Sequence, residues 1–427
     1  MWYRRSRVIA TVSVVALAAL AGCGGAGGDA ADGGETVAGQ PAVTAGFDGT
    51  TIRLGAISTL TGPVAVAGTP LTAGNQVWFD HINATGGIAG RYPVELVVED
   101  NQYKPDVTVQ QYQKIKNDVV AFTQILGTPS VLAVLPQLAA DGALASPASF
   151  DATWVRQENL LPVGGPYQVQ AINAVDHYLR NGGSPTDTLC SMIQDDAFGE
   201  AGQQGLDHIA ASRGLSYATT QRFSVGTNDH TGAIGALSSA GCDMVFLGAT
   251  PSDAAKIWGA AAQVNFPGLW YGQSPSWSGS FTGLPFADYL VSNVRIALEG
   301  TEWGDPTIPG MVDMVERAGM YAPDQSPDTF FILGYNLARA MTAVLEEAVA
   351  RGDLSREGIL AASNGLGTVG FDGLSGDYGY GPAADRTPPR TSTIYAVDLA
   401  KPLGLAVLEY DFTSPEAESF EIVAADL

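Results

Sequence analysis

Short apolar runs alternate with amphipathic stretches along most of the chain, and this alternation predicts strands followed by helices. The first series opens with a strand-like run at Ile52, and its first helix stops at Thr85-Gly86-Gly87. The predicted elements of this series are strands over 52–57, 93–98, 119–126 and 143–146, with helices over 71–83 and 106–116. A βαβα order predicts a parallel, doubly wound sheet with right-handed crossovers.

The same alternation restarts after Gly164-Gly165-Pro166. The second series predicts strands over 188–193, 216–223, 243–247 and 269–271, with helices over 168–180, 198–212 and 252–263 and another beginning near His230. Two α/β units of similar design predict two lobes with a cleft between them, because ligands of such sheets bind at the carboxyl ends of the strands. A long helix over 327–350 comes too late in the sequence to be assigned to either series.

The N-terminus has the pattern of a secretory signal. Three arginines precede an apolar run over 8–20, which is too short to span a bilayer as a helix. The run ends in Leu20-Ala21-Gly22-Cys23, which resembles a bacterial lipobox. We therefore predict a signal peptide over 1–22, lipidation of Cys23 and a Gly-rich flexible tether over 23–50. The alternative is an ordinary signal peptide with a chance cysteine.

Composition narrows the classes of function. The 427 residues allow two or three domains, and 21 Lys+Arg against 44 Asp+Glu give a net charge of −23. A field of this sign repels phosphate backbones, so nucleic acid is excluded as a partner. The four histidines are scattered, and there is neither a phosphate-binding loop nor a Gly-x-Ser-x-Gly elbow. We predict no catalytic residue, no metal and no cofactor.

Several motifs occur in a specific order from Thr51 to about Leu399. They are Ile52-Arg53-Leu54-Gly55, Leu60-Thr61-Gly62-Pro63, Ile82 to Gly90, Glu95 to Asp100, Gly127-Thr128-Pro129-Ser130, Ser146-Pro147-Ala148-Ser149, Asp195 to Gly199, and the late helix with Tyr335 and Ala338. Together they resemble the Leu/Ile/Val-binding (branched-chain amino acid) family of type I periplasmic binding proteins.

The resemblance implies the type I periplasmic-binding-protein fold, an α/β architecture of two doubly wound parallel-sheet lobes joined by three hinge crossings. The crossings are expected near 164–167, 299–302 and 386–391. Lobe one then comprises 51–165 with 301–386, and lobe two comprises 166–300 with 391–427. A ligand is expected to be trapped between the lobes as they close.

The segment from Gly127 to Val131 is the clearest candidate for a ligand site. A strand is predicted to end at Leu126, with Thr128 as the helix N-cap and Pro129 at the first helical position. The free N–H groups of Ser130 and Val131 are then expected to favour an anion. In the family, the matching loop receives the ligand's carboxylate. The alternative is a capped helix with nothing bound.

Further candidates follow from the resemblance. Ala148, Ser149 and Phe150 match a segment that offers polar groups to the ligand, the alternative being a plain turn at the end of a strand. Phe198 matches an aromatic residue that covers the ligand from lobe two, the alternative being a core residue.

Two features depart from the family pattern. Gln273 and Ser274 stand where amino-acid-binding relatives carry an acid for the ammonium group, and Trp277 is expected in the same selecting loop. Asp196, Asp253 and Glu302 are candidate substitutes for that acid. In addition, Val66-Ala67 stand where relatives often place a large aromatic residue, which predicts a wider pocket mouth.

Cys190 opens one lobe-two strand and Cys242 directly precedes another. The first and third strands of a doubly wound unit are neighbours, which places both thiols at the same sheet end. We predict a disulfide between them, the alternative being two buried free thiols.

Taken together, the sequence predicts an extracytoplasmic solute-binding lipoprotein of an ABC importer, held on the outer face of the cytoplasmic membrane by its lipid alone. Its expected partners are an ABC permease and a small ligand, either an amino acid or a related amide or carboxylate. The main alternative is a ligand-binding sensor that signals through a membrane partner.

Overall fold

Two large β-sheets and the helices packed against them form most of the computed structural model, which describes residues 40–301 and 303–424. The first sheet contains β1 (Ile52–Ser58), β2 (Val94–Asp100), β3 (Ala121–Leu126) and β4 (Ala145–Ala148). Its strands are parallel and follow the order β2-β1-β3-β4. We call this sheet and the helices covering it the first lobe.

The second sheet forms the second lobe. Its strands are β5 (Leu189–Gln194), β6 (Tyr217–Phe223), β7 (Met244–Gly248), β8 (Leu269–Gln273), β9 (Val294–Leu298), β12 (Ser392–Val397) and β13 (Leu405–Phe412). β10 (Thr368–Val369) and β11 (Tyr378–Gly379) form a separate two-stranded sheet. The order is β13-β12-β9-β8-β7-β5-β6. The strands from β9 to β6 are parallel, whereas β12 runs antiparallel to β9 and to β13.

The predicted α/β class with doubly wound sheets is thus confirmed, and the antiparallel edge of the second sheet is an addition to it. The short connection between β12 and β13 suits an antiparallel pair, because parallel neighbours need a long crossover. β3, β5 and β7 are buried along their whole length, as expected for strands covered on both faces.

The helices follow the predicted alternation. They are α1 (Ala65–Ala84), α2 (Pro105–Ile115), α3 (Thr128–Asp141), α4 (Tyr167–Arg180), α5 (Ala197–Arg213), α6 (Thr231–Ala240), α7 (Pro251–Gln263), α8 (Ala287–Asn293), α9 (Pro309–Tyr321), α10 (Thr329–Arg351), α11 (Arg356–Gly365) and α12 (Pro415–Ser419). α1 begins six residues before the predicted start at residue 71.

The late helix α10 belongs to the first lobe, where it packs along α1 and against β3 and β4. Two glycines allow the close crossing of α1 and α10. A Cβ on Gly74 would lie 2.1 Å from the carbonyl oxygen of Phe331, and one on Gly334 would lie 1.8 Å from that of Leu71. Neither position therefore accepts a side chain without separating the two helices.

The three predicted crossing segments lie side by side. The N–H of Gly165 donates to Glu299 Oε2 at 3.0 Å, and a Cβ on Gly165 would lie 3.1 Å from the carbonyl oxygen of Thr391. Burial raises the pKa of the Glu299 carboxyl to about 8, and the Gly165 hydrogen bond opposes that shift. The exact residue boundaries of the lobes remain a prediction.

The structure corrects the predicted tether at its C-terminal end. Phe47 is 1% exposed and packs edge-to-face on Tyr92, with ring centroids 5.1 Å apart. Thr44 and Phe47 form bridge pairs, the second with Ile52, so residues 44–50 belong to the fold. A single aromatic anchor in a Gly-rich stretch has no periodicity, which is why the sequence did not indicate it. The predicted signal peptide and Cys23 lie outside the described residues.

Cys190 in β5 and Cys242 just before β7 form a disulfide, with Cα atoms 5.9 Å apart. β5 and β7 are adjacent parallel strands, which brings the two cysteines together. Every helix in the described part of the chain is too short or too polar to span a lipid bilayer.

Candidate ligand-binding cleft

A small cavity of about 40 Å³ lies between the two lobes, at the carboxyl ends of their parallel strands. The first lobe contributes residues of α1, α10 and the segments that follow β2, β3 and β4. The second lobe contributes the starts of α4, α5 and α7 and the segment after β8. The lining residues are Val64, Ala67, Leu71, Tyr103, Leu126, Gly127, Thr128, Ala148, Ser149, Phe150, Tyr167, Phe198, Thr250, Ser274, Pro275, Phe330 and Leu333.

The walls of this cavity are mostly aliphatic and aromatic, and no Asp, Glu, Lys, Arg or His side chain occurs among the described residues that line it. Its polar groups are hydroxyls and main-chain groups. Burial raises the pKa of the Tyr103 and Tyr167 phenols above their usual range, so both remain neutral at any physiological pH. The cavity therefore suits a ligand with an apolar body and a small polar group.

The α3 start lies one residue earlier than predicted. Gly127 is the N-cap, with a φ of +102°, and a Cβ there would lie 2.8 Å from the Tyr103 ring. The Val131 N–H donates to the Gly127 carbonyl at 2.9 Å and is therefore not available to a ligand. Because Pro129 has no N–H, the donors left at this helix start are the N–H groups of Thr128 and Ser130.

Thr128 lines the cavity, although it is not the cap that the sequence predicted. Its side chain is 1% exposed, and Oγ1 has no hydrogen-bond partner among the described residues. A buried hydroxyl without a partner at a helix start is available to an anionic ligand.

The side chains of Ser130 and Val131 point elsewhere. Ser130 is fully buried, with its Oγ 2.9 Å from Thr108 Oγ1 and 3.3 Å from Asn101 Nδ2. Val131 packs in the hydrophobic core of the first lobe. Both predicted site residues therefore lie behind the helix start, and Ser130 can reach a ligand only through its N–H.

The turn after β4 brings Ala148, Ser149 and Phe150 to the cavity wall, and their contact with a ligand stays a prediction. Ser149 Oγ accepts a hydrogen bond from Trp154 Nε1 at 3.1 Å, which leaves its own proton free to be donated. Phe150 packs edge-to-face on Tyr167, with ring centroids 5.4 Å apart. Tyr167 packs in the same way on Phe198 at 5.0 Å, so an aromatic wall runs from one lobe to the other.

Phe198 lies in the first turn of α5 and lines the cavity from the second lobe. Asp196 holds this turn, because its Oδ1 accepts the N–H groups of Phe198 at 3.0 Å and Gly199 at 3.3 Å. Burial raises the pKa of the Asp196 carboxyl. Asp196 is engaged as a helix cap and does not line the cavity.

Of the three candidate residues at the end of β8 and after it, one lines the cavity and two lie in the interior. Ser274 lines the cavity, and its N–H donates to Gln170 Oε1 and to the carbonyl of Ala297, both at 3.1 Å. Gln273 is fully buried beside α5, and neither of its amide atoms has a partner among the described residues. Trp277 donates from Nε1 to the carbonyl of Leu403 at 2.7 Å, within an aromatic cluster. Gln273 and Trp277 are therefore corrected to interior positions.

The other candidate acids do not replace the ammonium partner. Asp253 is buried, accepts the N–H of Gly226 at 2.8 Å and forms an ion pair with Lys256 at 3.4 Å. Glu302 lies outside the described residues. Among the residues that the structure describes, no His, Cys, Asp and Glu cluster has the arrangement of a metal site.

Contacts across the cleft show that the lobes are closed around the cavity. Ser252 Oγ of α7 donates to the carbonyl of Pro63 at 2.6 Å, and Gln194 Nε2 donates to Tyr103 Oη at 3.3 Å. Each bond joins the second lobe to the first. A ligand in the cavity would therefore be enclosed by both lobes.

Comparison with known proteins decides the family. A family model for periplasmic binding proteins matches residues 51–402. The chain belongs to this family. The Leu/Ile/Val-binding protein homolog 3 of Brucella melitensis and Leu/Ile/Val-binding protein BraC3 of Rhizobium johnstonii are each 28% identical over 202 residues, or 46% of this chain. The chain matches about half (54%) of the length of these curated relatives.

Solved structures of periplasmic binding proteins share the fold over their whole length. A fatty acid ABC transporter substrate-binding protein from Thermomonospora curvata is 25% identical, with a TM-score of 0.83, and the match covers 90% of this chain and 98% of that one. A branched-chain amino acid ABC transporter protein from Thermus thermophilus with bound valine is 17% identical, with a TM-score of 0.76 and coverage of 86% and 98%. The predicted resemblance is confirmed, and these relatives are binding proteins rather than enzymes.

Several residues that line the cavity were not predicted from the sequence. Tyr103, Tyr167, Phe330 and Leu333 are apolar or aromatic residues at element ends, where a pattern cannot distinguish a cavity wall from a core position. Thr250 is different, because it precedes a proline and a serine just as Thr128 does. That repeated Thr-Pro-Ser was the signal in the sequence that could have indicated Thr250.

Proposed function

We propose that this periplasmic binding protein is the receptor of an ABC importer for a carboxylate with an apolar body, such as a fatty acid or an aromatic acid. The observation that carries the proposal is the cavity itself, whose walls are mostly apolar and carry no charged side chain among the described residues. The similarity to a fatty acid ABC transporter substrate-binding protein supports the same ligand class.

The carboxylate is assigned to the α3 start in the first lobe. There, Thr128 offers an unpartnered hydroxyl, and the first-turn N–H groups and positive helix end favour an anion. The apolar body would lie against the aromatic wall and the side chains of α1 and α10. Each buried methylene contributes about 0.8 kcal/mol to such binding.

A free amino acid fits this cavity less well than its deaminated counterpart. Its ammonium group would enter an apolar cavity that neither candidate partner lines, because Asp196 and Asp253 are engaged outside it. Burying a charge without a partner costs several kcal/mol, which outweighs any gain from the extra group. The amino-acid ligand considered from the sequence is therefore replaced in this proposal by a carboxylate that lacks an ammonium group.

A thermal-shift screen tests this proposal. The panel comprises straight-chain and branched fatty acids of four to ten carbons and 3-phenylpropanoate, each compared with its amide and with the amino acid of the same skeleton. A ligand at 100 times its Kd adds about 2.7 kcal/mol of stability, which is readily measured. We expect stabilisation by one or more acids. Stabilisation by amino acids alone would contradict the proposal.

Membrane anchorage through Cys23 is a separate part of the proposal. It is supported by the lipobox-like sequence, and the outer face of the cytoplasmic membrane is the expected location. Cys23→Ala should yield protein that no longer partitions into detergent, whereas unchanged partitioning would refute lipidation.

Deletion of the gene should abolish uptake of the labelled acid. Unchanged uptake with a lost transcriptional response would instead favour a sensor.

A further inference from the structure

The two lobes carry the same short sequence at equivalent places in their folds. Leu126-Gly127-Thr128-Pro129-Ser130 joins β3 to α3, and Leu247-Gly248-Ala249-Thr250-Pro251-Ser252 joins β7 to α7. β3 lies between β1 and β4, and β7 lies between β5 and β8, so the two strands hold the same rank in their sheets. Each lobe therefore directs a Thr-Pro-Ser helix start toward the cleft.

Both threonine hydroxyls are buried, and both lack a partner. Thr128 is 1% exposed and Thr250 is 2% exposed, and neither Oγ1 has a hydrogen-bond partner among the described residues. Both residues line the same cavity. A threonine before a helix usually caps it by accepting an N–H, yet Thr250 makes no such bond at α7. Its hydroxyl is therefore free for another partner.

The surroundings of Thr250 favour an oxygen acceptor over a cation. α7 is 13 residues long and presents its positive end at Thr250. The charge of Asp253 in the first turn is offset by its ion pair with Lys256, and its carboxylate also accepts the Gly226 N–H. Ser252 of the same turn already reaches the first lobe at Pro63. This helix start thus meets the opposite lobe when the cleft is closed.

We propose that Thr250 donates a hydrogen bond to a ligand oxygen, so that the ligand offers oxygen acceptors to both Thr-Pro-Ser helix starts. The proposal rests on the carboxylate-binding function above and extends it to the second lobe. The ligand class is then a carboxylate, with or without a neighbouring oxo or hydroxyl oxygen. The bond from Thr250 forms only when the second lobe closes, so it favours the closed state in the presence of ligand.

Calorimetry with Thr250→Val and Thr250→Ser tests the assignment. The probes are 4-methylpentanoate, 4-methyl-2-oxopentanoate, octanoate and 3-phenylpropanoate. We expect Thr250→Val to weaken binding of the acid that the wild type binds best by at least about 10-fold, as for loss of a hydrogen bond to a charged group. Thr250→Ser keeps the hydroxyl and should remain within about 3-fold of the wild type. Thr219→Val, on the edge strand β6, is the matched control and should bind normally.

Thr250→Val should melt at the wild-type temperature without ligand, because the hydroxyl that it removes has no partner to lose. If it fails to fold, Thr250→Ala serves in its place. A greater loss for the 2-oxo acid would assign Thr250 to the extra oxygen, and equal losses would assign it to the carboxylate. An unchanged Kd for Thr250→Val, with an acid that the wild type binds, would overturn the assignment alone. Failure of the wild type to bind any of these acids would overturn the proposed function as well.

Discussion

Replacing Thr128 by valine separates a binding role from a structural role. The change keeps the shape of the side chain and removes a hydroxyl that is buried and has no partner among the described residues. Leaving a buried polar group unpaired costs about 1–3 kcal/mol, so its removal should leave the ligand-free protein as stable as the wild type or up to about 1 kcal/mol more stable. The same hydroxyl is expected to donate to the ligand's carboxylate, and a bond to a charged group contributes about 1.5–3 kcal/mol. Affinity should therefore fall between about 10-fold and 150-fold.

The midpoint of urea unfolding without ligand measures the first effect, and calorimetry with the best-binding acid measures the second. Thr123→Val is the matched control. Its hydroxyl donates to Asn75 Oδ1 at 2.8 Å in the interior of the first lobe, away from the cavity. This control should lose about 1 kcal/mol of stability and keep its affinity. If Thr128→Val instead loses stability like the control and binds the acid normally, the Thr128 hydroxyl is structural and the reasoning about the site is wrong.

Two further predictions concern stability. Replacing Cys190 and Cys242 together by serine should lower the free energy of unfolding by up to about 4 kcal/mol, because the disulfide joins residues 52 positions apart. Two reactive thiols in the unfolded, unreduced wild-type protein would contradict the disulfide. Because burial raises the pKa of Glu299 to about 8, its contribution to stability is complete below the unfolded pKa near 4.5 and is lost as the pH rises through 8. Glu299→Gln should therefore flatten the decline in unfolding free energy from pH 6 to 9, and an unchanged pH profile would show that Glu299 does not titrate there.

Much of the fold was predictable because it depends on periodicity. Buried strands such as β3 and β5 are continuous apolar runs, and the helices between them are amphipathic, so the order of elements followed directly. Phe47 was missed because a lone anchor has no pattern. The antiparallel β12–β13 edge was missed because the direction of a strand is set by its connection and its neighbours, not by its own residues.

The site was predicted less well, because it depends on the direction of single side chains. Consecutive residues at a strand end point to opposite sides, so Ser274 reaches the cavity while Gln273 points into the second lobe. A one-residue shift at the α3 start likewise engages the Val131 N–H in the helix and frees the Thr128 hydroxyl. A sequence pattern places the end of a helix only to within about one or two residues, so it does not predict such shifts.

In the proposed function, the cavity selects a carboxylate without an ammonium group, and one pair of ligands tests this selectivity. Leucine and 4-methylpentanoate share their carbon skeleton and carboxylate and differ only in the ammonium group. Calorimetry of both on the wild-type protein should give a Kd for the acid at least about 100-fold lower, since an unpaired ammonium in this cavity costs several kcal/mol. Leucine binding as tightly as the acid, or more tightly, would refute this selectivity and require an ammonium partner in the cleft.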